Sequence, residues 1–127
     1  MDIINFREFC LSLPLAEECM PFDEDTLVYK IGGKMFAYAD MTDFRFFNVK
    51  TDPVLIPELM DRYAEIGPPV HMAKGHWISV NAQGDLPMAF MQGLIRESFR
   101  LVIDGMTKKQ RAEILSAIDQ SYGMEDR

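Results

Sequence analysis

The sequence predicts an α+β domain, an antiparallel β-sheet with its helices packed on one face. Two stretches carry that expectation. Residues 26–50 hold three β-branched and aromatic segments in succession, the first two joined by Gly32-Gly33. Both central positions of a two-residue hairpin turn want positive φ, which glycine supplies without strain. Residues 71–104 hold one more strand, around the only tryptophan, Trp77, and then the longest apolar helix pattern of the chain. Strands joined in succession by hairpins give an antiparallel sheet, and the helices then share one of its faces. At 127 residues, with 48% hydrophobic and 26% charged residues, the chain has material for one ordinary core, so residues 1–127 form a single domain.

The expected order is α-β-β-β-α-β-α-α. Ile3, Phe6, Phe9, Cys10 and Leu13 recur at helical spacing, Asp2 can cap the start and Pro14 ends the helix. Leu15–Asp25 is an acidic loop. Thr26–Ile31 and Lys34–Ala39 are the hairpin strands, with Met35, Ala37 and Ala39 on one face and Phe36 and Tyr38 on the other. Phe44–Lys50 is the third strand. Asp52-Pro53 reads as a cap followed by proline at the first helical position. Pro57 then requires an irregular first turn or a later start. His76–Asn81 is the fourth strand, with Trp77 as its core anchor. The helix after Leu86-Pro87 turns Met88, Met91, Leu94, Ile95, Ser98, Leu101 and Val102 inward, and the small Ser98 either allows close approach to the sheet or bonds back to its own preceding turn. Gly105 closes it. Thr107 caps a last helix to about Ser121, with Ala112, Ile114, Leu115 and Ile118 inward.

Several function classes are excluded or weakened at once. No apolar run reaches the roughly 18–20 residues of a membrane span. The N-terminus lacks the apolar core of a signal peptide, so a cytoplasmic protein is expected. Cys10 and Cys19 are too few for a disulfide framework or a zinc site. There is no Gly-rich phosphate loop, nucleophile elbow or metalloprotease motif. The formal net charge of −7 opposes tight nucleic-acid binding, because phosphate neutralisation supplies most of that affinity. The distribution is uneven, however. Residues 71–113 are the one stretch with more basic residues (Lys74, Arg96, Arg100, Lys108, Lys109, Arg111) than acidic ones.

Four groups of residues are candidates for chemistry. His71, Lys74, His76 and Trp77 could line a pocket for an anion, a base or a peptide, combining charge with an aromatic face. The plainer alternative makes Trp77 core and the other three its solvated flank. Arg96 and Arg100 lie one turn apart on the polar side of the long helix and could meet phosphate, or pair with Glu97 and Asp104. Lys108, Lys109 and Arg111 open the last helix, where cations oppose the macrodipole. The acidic segment Glu17–Asp25 could attract a hard cation, but it lacks the alternate-position ligands and central glycine of a calcium loop.

The whole chain resembles the MmcQ/YjbR family. The residues that carry the resemblance are FCLSLP in the first helix, the hairpin VYKIGGKMFA, KTDP at a helix opening, the strand HMAKGHWISV, LIRESFRLV in the long helix, and TKKQR after it. One departure is Ser98-Phe99, where the family usually has Ser-Tyr. A binding site that used that hydroxyl would lack it here. The resemblance implies a CyaY-like (frataxin-like) arrangement, a cytoplasmic location and no catalytic residues or cofactor. It also implies DNA binding, a label that rests on the likeness of the fold to the double-wing domain of a phage transcription activator, which is analogy at the level of fold. The expectation is therefore a non-enzymatic binding domain that meets DNA by phosphate contact through Lys74, Arg96, Arg100, Lys108, Lys109 and Arg111. The alternatives are a protein- or peptide-interaction domain using the His71–Trp77 surface, and a metal-handling protein built on the acidic segment.

Overall fold

A computed structural model of the chain describes residues 1–72 and 75–125, with side chains described up to residue 120. The elements are α1 (Ile3–Ser12), β1 (Glu17–Cys19), β2 (Thr26–Ile31), β3 (Lys34–Asp40), β4 (Phe46–Lys50), α2 (Ile56–Arg62), β5 (Ile66–Gly67), β6 (Trp77–Asn81), α3 (Met88–Asp104) and α4 (Lys108–Glu125). The six strands form one sheet in the order β1-β2-β3-β4-β6-β5, antiparallel throughout. The α+β class and the antiparallel sheet are as the sequence predicts.

Two edge strands were not expected. Glu17–Cys19 pairs with Val28–Lys30 inside the segment predicted as loop, and Ile66–Gly67 pairs with Ser79–Val80. Strands of two or three residues have too few side chains to show a period. The hairpin turn is as predicted, with φ of +58° at Gly32 and +79° at Gly33. Pro57 is accommodated by both expected means. A 3-10 turn over Pro53–Leu55, capped by the Asp52 side chain on Val54 N at 3.0 Å, precedes an α-helix in whose first turn Pro57 lies.

All helices lie on one face of the sheet. Leu27, Tyr29, Ile31, Ala37, Ala39, Phe47, Val49, Ile78 and Val80 point into this core and are essentially buried. From α1, Phe6 packs on Tyr29 and Phe47 with ring centroids 5.5 and 5.4 Å away. From α3, Met91, Ile95, Ser98, Phe99, Val102 and Ile103 are buried. The predicted alternation of β3 is broken at Phe36. The register with β2 slips there, so that Lys30 faces Met35 while Tyr29 faces Ala37. This bulge turns Phe36 to the helix face beside Ala37, where its ring meets Phe99 edge-on at 5.3 Å. Tyr38 is left on the other face.

Ser98 joins α3 to the sheet. Its hydroxyl donates to the Phe36 carbonyl at 2.5 Å and accepts from Lys50 N at 2.8 Å. Thus β3 and β4 are bridged through a side chain just beyond their last direct pair, Ala37 with Val49. α4 lies against the β2–β3 hairpin through Ile114, with Gln110 Nε2 donating to the Gly32 carbonyl at 3.1 Å. Ala112 and Leu115, expected inward, are exposed.

Candidate functional site

The second face of the sheet carries no helix. It carries Thr26, Val28, Lys30, Met35, Tyr38, Asp40, Phe46, Asn48, Lys50, Trp77, Ser79 and Asn81, the residues that alternate with the core positions. Trp77 is therefore not the core anchor that its size suggests. Ile78 and Val80 fill that role, while Trp77 is half-buried on the open face with its indole 5.7 Å from the Tyr38 ring.

Two connecting segments cross this face and leave a pocket between them. One is residues 68–72. Val70 is strapped to the sheet at both ends of its peptide, its N–H donating to Asn48 Oδ1 at 3.0 Å and its carbonyl accepting from the Tyr38 hydroxyl. The next residue, His71, takes a φ of +56°, a left-handed conformation unusual outside glycine. The other wall is residues 22–26. Asp23 accepts from the backbone N–H groups of Asp25 and Thr26 at 2.9 and 2.7 Å, and its carboxyl is held below the usual range by these bonds and that from the Thr26 hydroxyl. The β3–β4 turn closes the third side. There Asp40 accepts from the N–H groups of Thr42 and Asp43, and the Thr42 hydroxyl donates to Asp25 at 2.6 Å.

The resulting cavity has a volume of about 530 Å³ and is lined by Phe22, Tyr38, Phe46, Asn48, Val70 and Met72, among others, with Asp23, Asp25, Asp40 and Asp43 around it. Arg45 at the rim is paired with Asp43 at 2.9 Å. Phe22 is 71% exposed, and Met41, Phe46 and Val70 are exposed as well.

The predicted site residues fall into two groups on opposite sides of the sheet. His71 lines the pocket, Trp77 stands beside it, and His76 is exposed at the start of β6. Lys74 lies outside the described residues. The remaining cations belong to the helix layer. Arg100 is held by Glu97 and Asp104, the pairing anticipated from their spacing. Arg96 lies over the Phe9 ring with its guanidinium carbon 5.4 Å from the centroid. Lys108 and Lys109 are exposed in the first turn of α4, and Arg111 reaches the Asp104 carbonyl at 3.4 Å. Arg96, Arg100, Lys108, Lys109 and Arg111 are thus not joined to the surface formed by His71 and Trp77.

The acidic segment does not gather into a metal centre. Among the described residues no three His, Cys, Asp or Glu side chains come together to hold an ion. Glu18 instead faces the helices, where Arg7 grips it at 2.9 and 3.1 Å and the Tyr29 hydroxyl donates to it at 2.6 Å. The Arg7 bond pulls its carboxyl below the usual range, against a smaller opposing effect of burial. Cys10 is buried, and burial pushes its thiol up, away from reactivity.

The pocket residues Phe22, Tyr38, Asp40, Phe46 and Asn48 were absent from the sequence-predicted site. A signal existed in Phe46-Phe47-Asn48-Val49, where a polar Asn48 occupies the middle of an otherwise apolar strand. A buried amide at such a position needs a partner, and the Val70 strap is that partner.

Comparison with known proteins places this architecture. The model of the YjbR family matches residues 11–101. The chain belongs to the YjbR family. It is 36% identical over 109 residues to the uncharacterized protein YbdF of Escherichia coli O157:H7, covering 85% of this chain and 89% of that one. It is 25% identical over 112 residues to the uncharacterized protein YjbR of Escherichia coli K12, covering 87% and 95%. A crystal structure of a Deinococcus radiodurans protein with a DUF419 domain matches with a TM-score of 0.82 at 34% identity, over 88% of this chain and 86% of that one. A crystal structure of a Pseudomonas syringae protein has the same fold, with a TM-score of 0.69 at 23% identity over 80% and 98%. Every residue named in the pocket lies within the stretch matched by the YjbR family, whereas Lys108, Lys109 and Arg111 lie beyond it. No helix among the described residues is long and apolar enough to cross a membrane.

Proposed function

We propose that this YjbR-family chain is a non-enzymatic binding domain that takes a protein or peptide partner on the open face of its sheet. One observation carries the reading: a pocket of about 530 Å³, walled by two strapped segments, on the face that no helix covers. A cleft of that size suits one or two side chains. Its exposed apolar rim is the kind of surface that partners bury. Tyr38 and Asn48 hydrogen-bond the strap to the sheet beneath it.

Duplex DNA has weaker support. Arg100 is already neutralised by two carboxylates, Arg96 is engaged with Phe9, and the pocket's own carboxylates repel phosphate.

The test is a selection of short displayed peptides on the wild-type domain, followed by binding measurements with duplex DNA as a parallel arm. Selected peptides bind the wild type, lose affinity for Phe22→Ala and Phe46→Ala, and are indifferent to Arg96→Ala/Arg100→Ala. DNA association at low salt that depends on Arg96 and Arg100, without any effect of the phenylalanines on peptide binding, would refute the open-face reading.

A further inference from the structure

The chemistry of the pocket narrows its occupant. Resting on the open-face reading, we infer that the partner inserts a lysine or arginine side chain, from a basic and apolar peptide segment, between the aspartates and the aromatic floor. Lysine and arginine are amphipathic along their length, with an apolar stem and a charged head. The pocket has the complementary gradient. Tyr38, Phe46 and Met72 offer apolar and aromatic surface to a stem, and the exposed Asp25 and Asp40 line the same pocket. Aromatic faces also attract cations directly.

The charges at the rim favour the same sign of ligand. Among the described residues Asp23, Asp25, Asp40 and Asp43 share the pocket with one arginine, which is spent on Asp43, and with His71, which acts on Asp23. Among the described residues no cation is within ion-pair distance of Asp25 or Asp40. Each bonds the protein's own groups through a single oxygen, so a second oxygen on each is left to a ligand. Exposed Phe22, Phe46 and Val70 lining the pocket give an apolar residue next to the cation somewhere to lie, which favours a peptide over a bare amine.

Asp25→Asn/Asp40→Asn tests the idea with little structural cost, because asparagine keeps the acceptor oxygen that fixes each turn. The peptides selected on the wild type are expected to pair Lys or Arg with a large apolar neighbour. Their Kd for the double variant rises about tenfold, the effect of about 1.4 kcal/mol of lost attraction. Without any mutation, binding to the wild type weakens by raising the salt from about 50 to 500 mM, as screening requires. Selected peptides that are acidic or uncharged, yet still depend on Phe22 and Phe46, would overturn the cation inference and leave the open-face reading intact. Butylamine binding as tightly as the peptides would keep the cation but overturn the peptide segment as its carrier. Self-association of the domain through this face in place of peptide binding would overturn the occupant altogether. Failure to select any peptide that depends on Phe22 and Phe46 refutes the open-face reading itself.

Discussion

Replacing Ser98 with alanine tests the link between the long helix and the sheet. The hydroxyl is fully buried and serves two backbone groups at once, the Phe36 carbonyl and the Lys50 N–H. Alanine preserves the helix and nearly the volume, so the loss is almost purely one of hydrogen bonding. Leaving a buried donor or acceptor unsatisfied costs about 1–3 kcal/mol. Two are orphaned here, and partial closure of β3 onto β4 recovers some of the loss, so about 2–4 kcal/mol is expected in total. For a chain of this size that lowers Tm by about 10 °C. Urea denaturation should show the midpoint falling with an unchanged slope, because the surface exposed on unfolding is the same. Amide exchange at Lys50 should rise more than at Thr51, whose N–H donates to the His76 carbonyl on the other side of β4 at 2.8 Å. A loss below about 0.5 kcal/mol would mean that the strands close directly and that Ser98 is merely a small residue allowing approach, which refutes the bridging role.

Other outcomes follow from the same contacts. Tyr38→Phe removes the donor that holds the Val70 carbonyl, so exchange at residues 70–71 quickens at a global cost of only about 1 kcal/mol; unchanged exchange there would mean that Asn48 alone holds the strap. Glu18 has a depressed carboxyl, so its contribution to stability is complete above the unfolded value near pH 4.3 and disappears as pH falls through the lower folded one. Glu18→Gln should cost about 1–2 kcal/mol at neutral pH and flatten the acid limb of a Tm-versus-pH curve, whereas parallel wild-type and variant curves would assign that limb elsewhere. At the hairpin, Gly33→Ala meets only backbone strain and costs about 1 kcal/mol. Gly32→Ala should be clearly worse, because its Cβ would lie 3.0 Å from Met106 Cε and 3.1 Å from Ile114 Cδ1; equal melting temperatures for the two would show that α4 yields freely.

What the sequence determined by itself was local. The Gly32-Gly33 turn, the Asp2 and Asp52 caps, the inward Met91, Ile95, Ser98 and Val102 of α3 and the antiparallel order of β2, β3 and β4 all follow from periods and turn chemistry within a few residues, whereas Met88, expected inward, is exposed at the start of α3. The pairing of Arg100 with Glu97 and Asp104 is local in the same sense. The tertiary structure alone decided the rest. A single extra residue at Phe36 reverses which side chains face the helices, and periodicity cannot reveal a slip that depends on the partner strand. Which face of β6 is buried depends on the register with β4, so a tryptophan could be read as core when it belongs to the open side. The pocket gathers residues from positions 22 to 72, brought together by a strap whose partners lie 22 and 32 residues away. Asn48 in an apolar strand shows that such a contact is needed, but nothing along the chain names its partner, because Val70 and Tyr38 satisfy their local rules whether or not the contact forms.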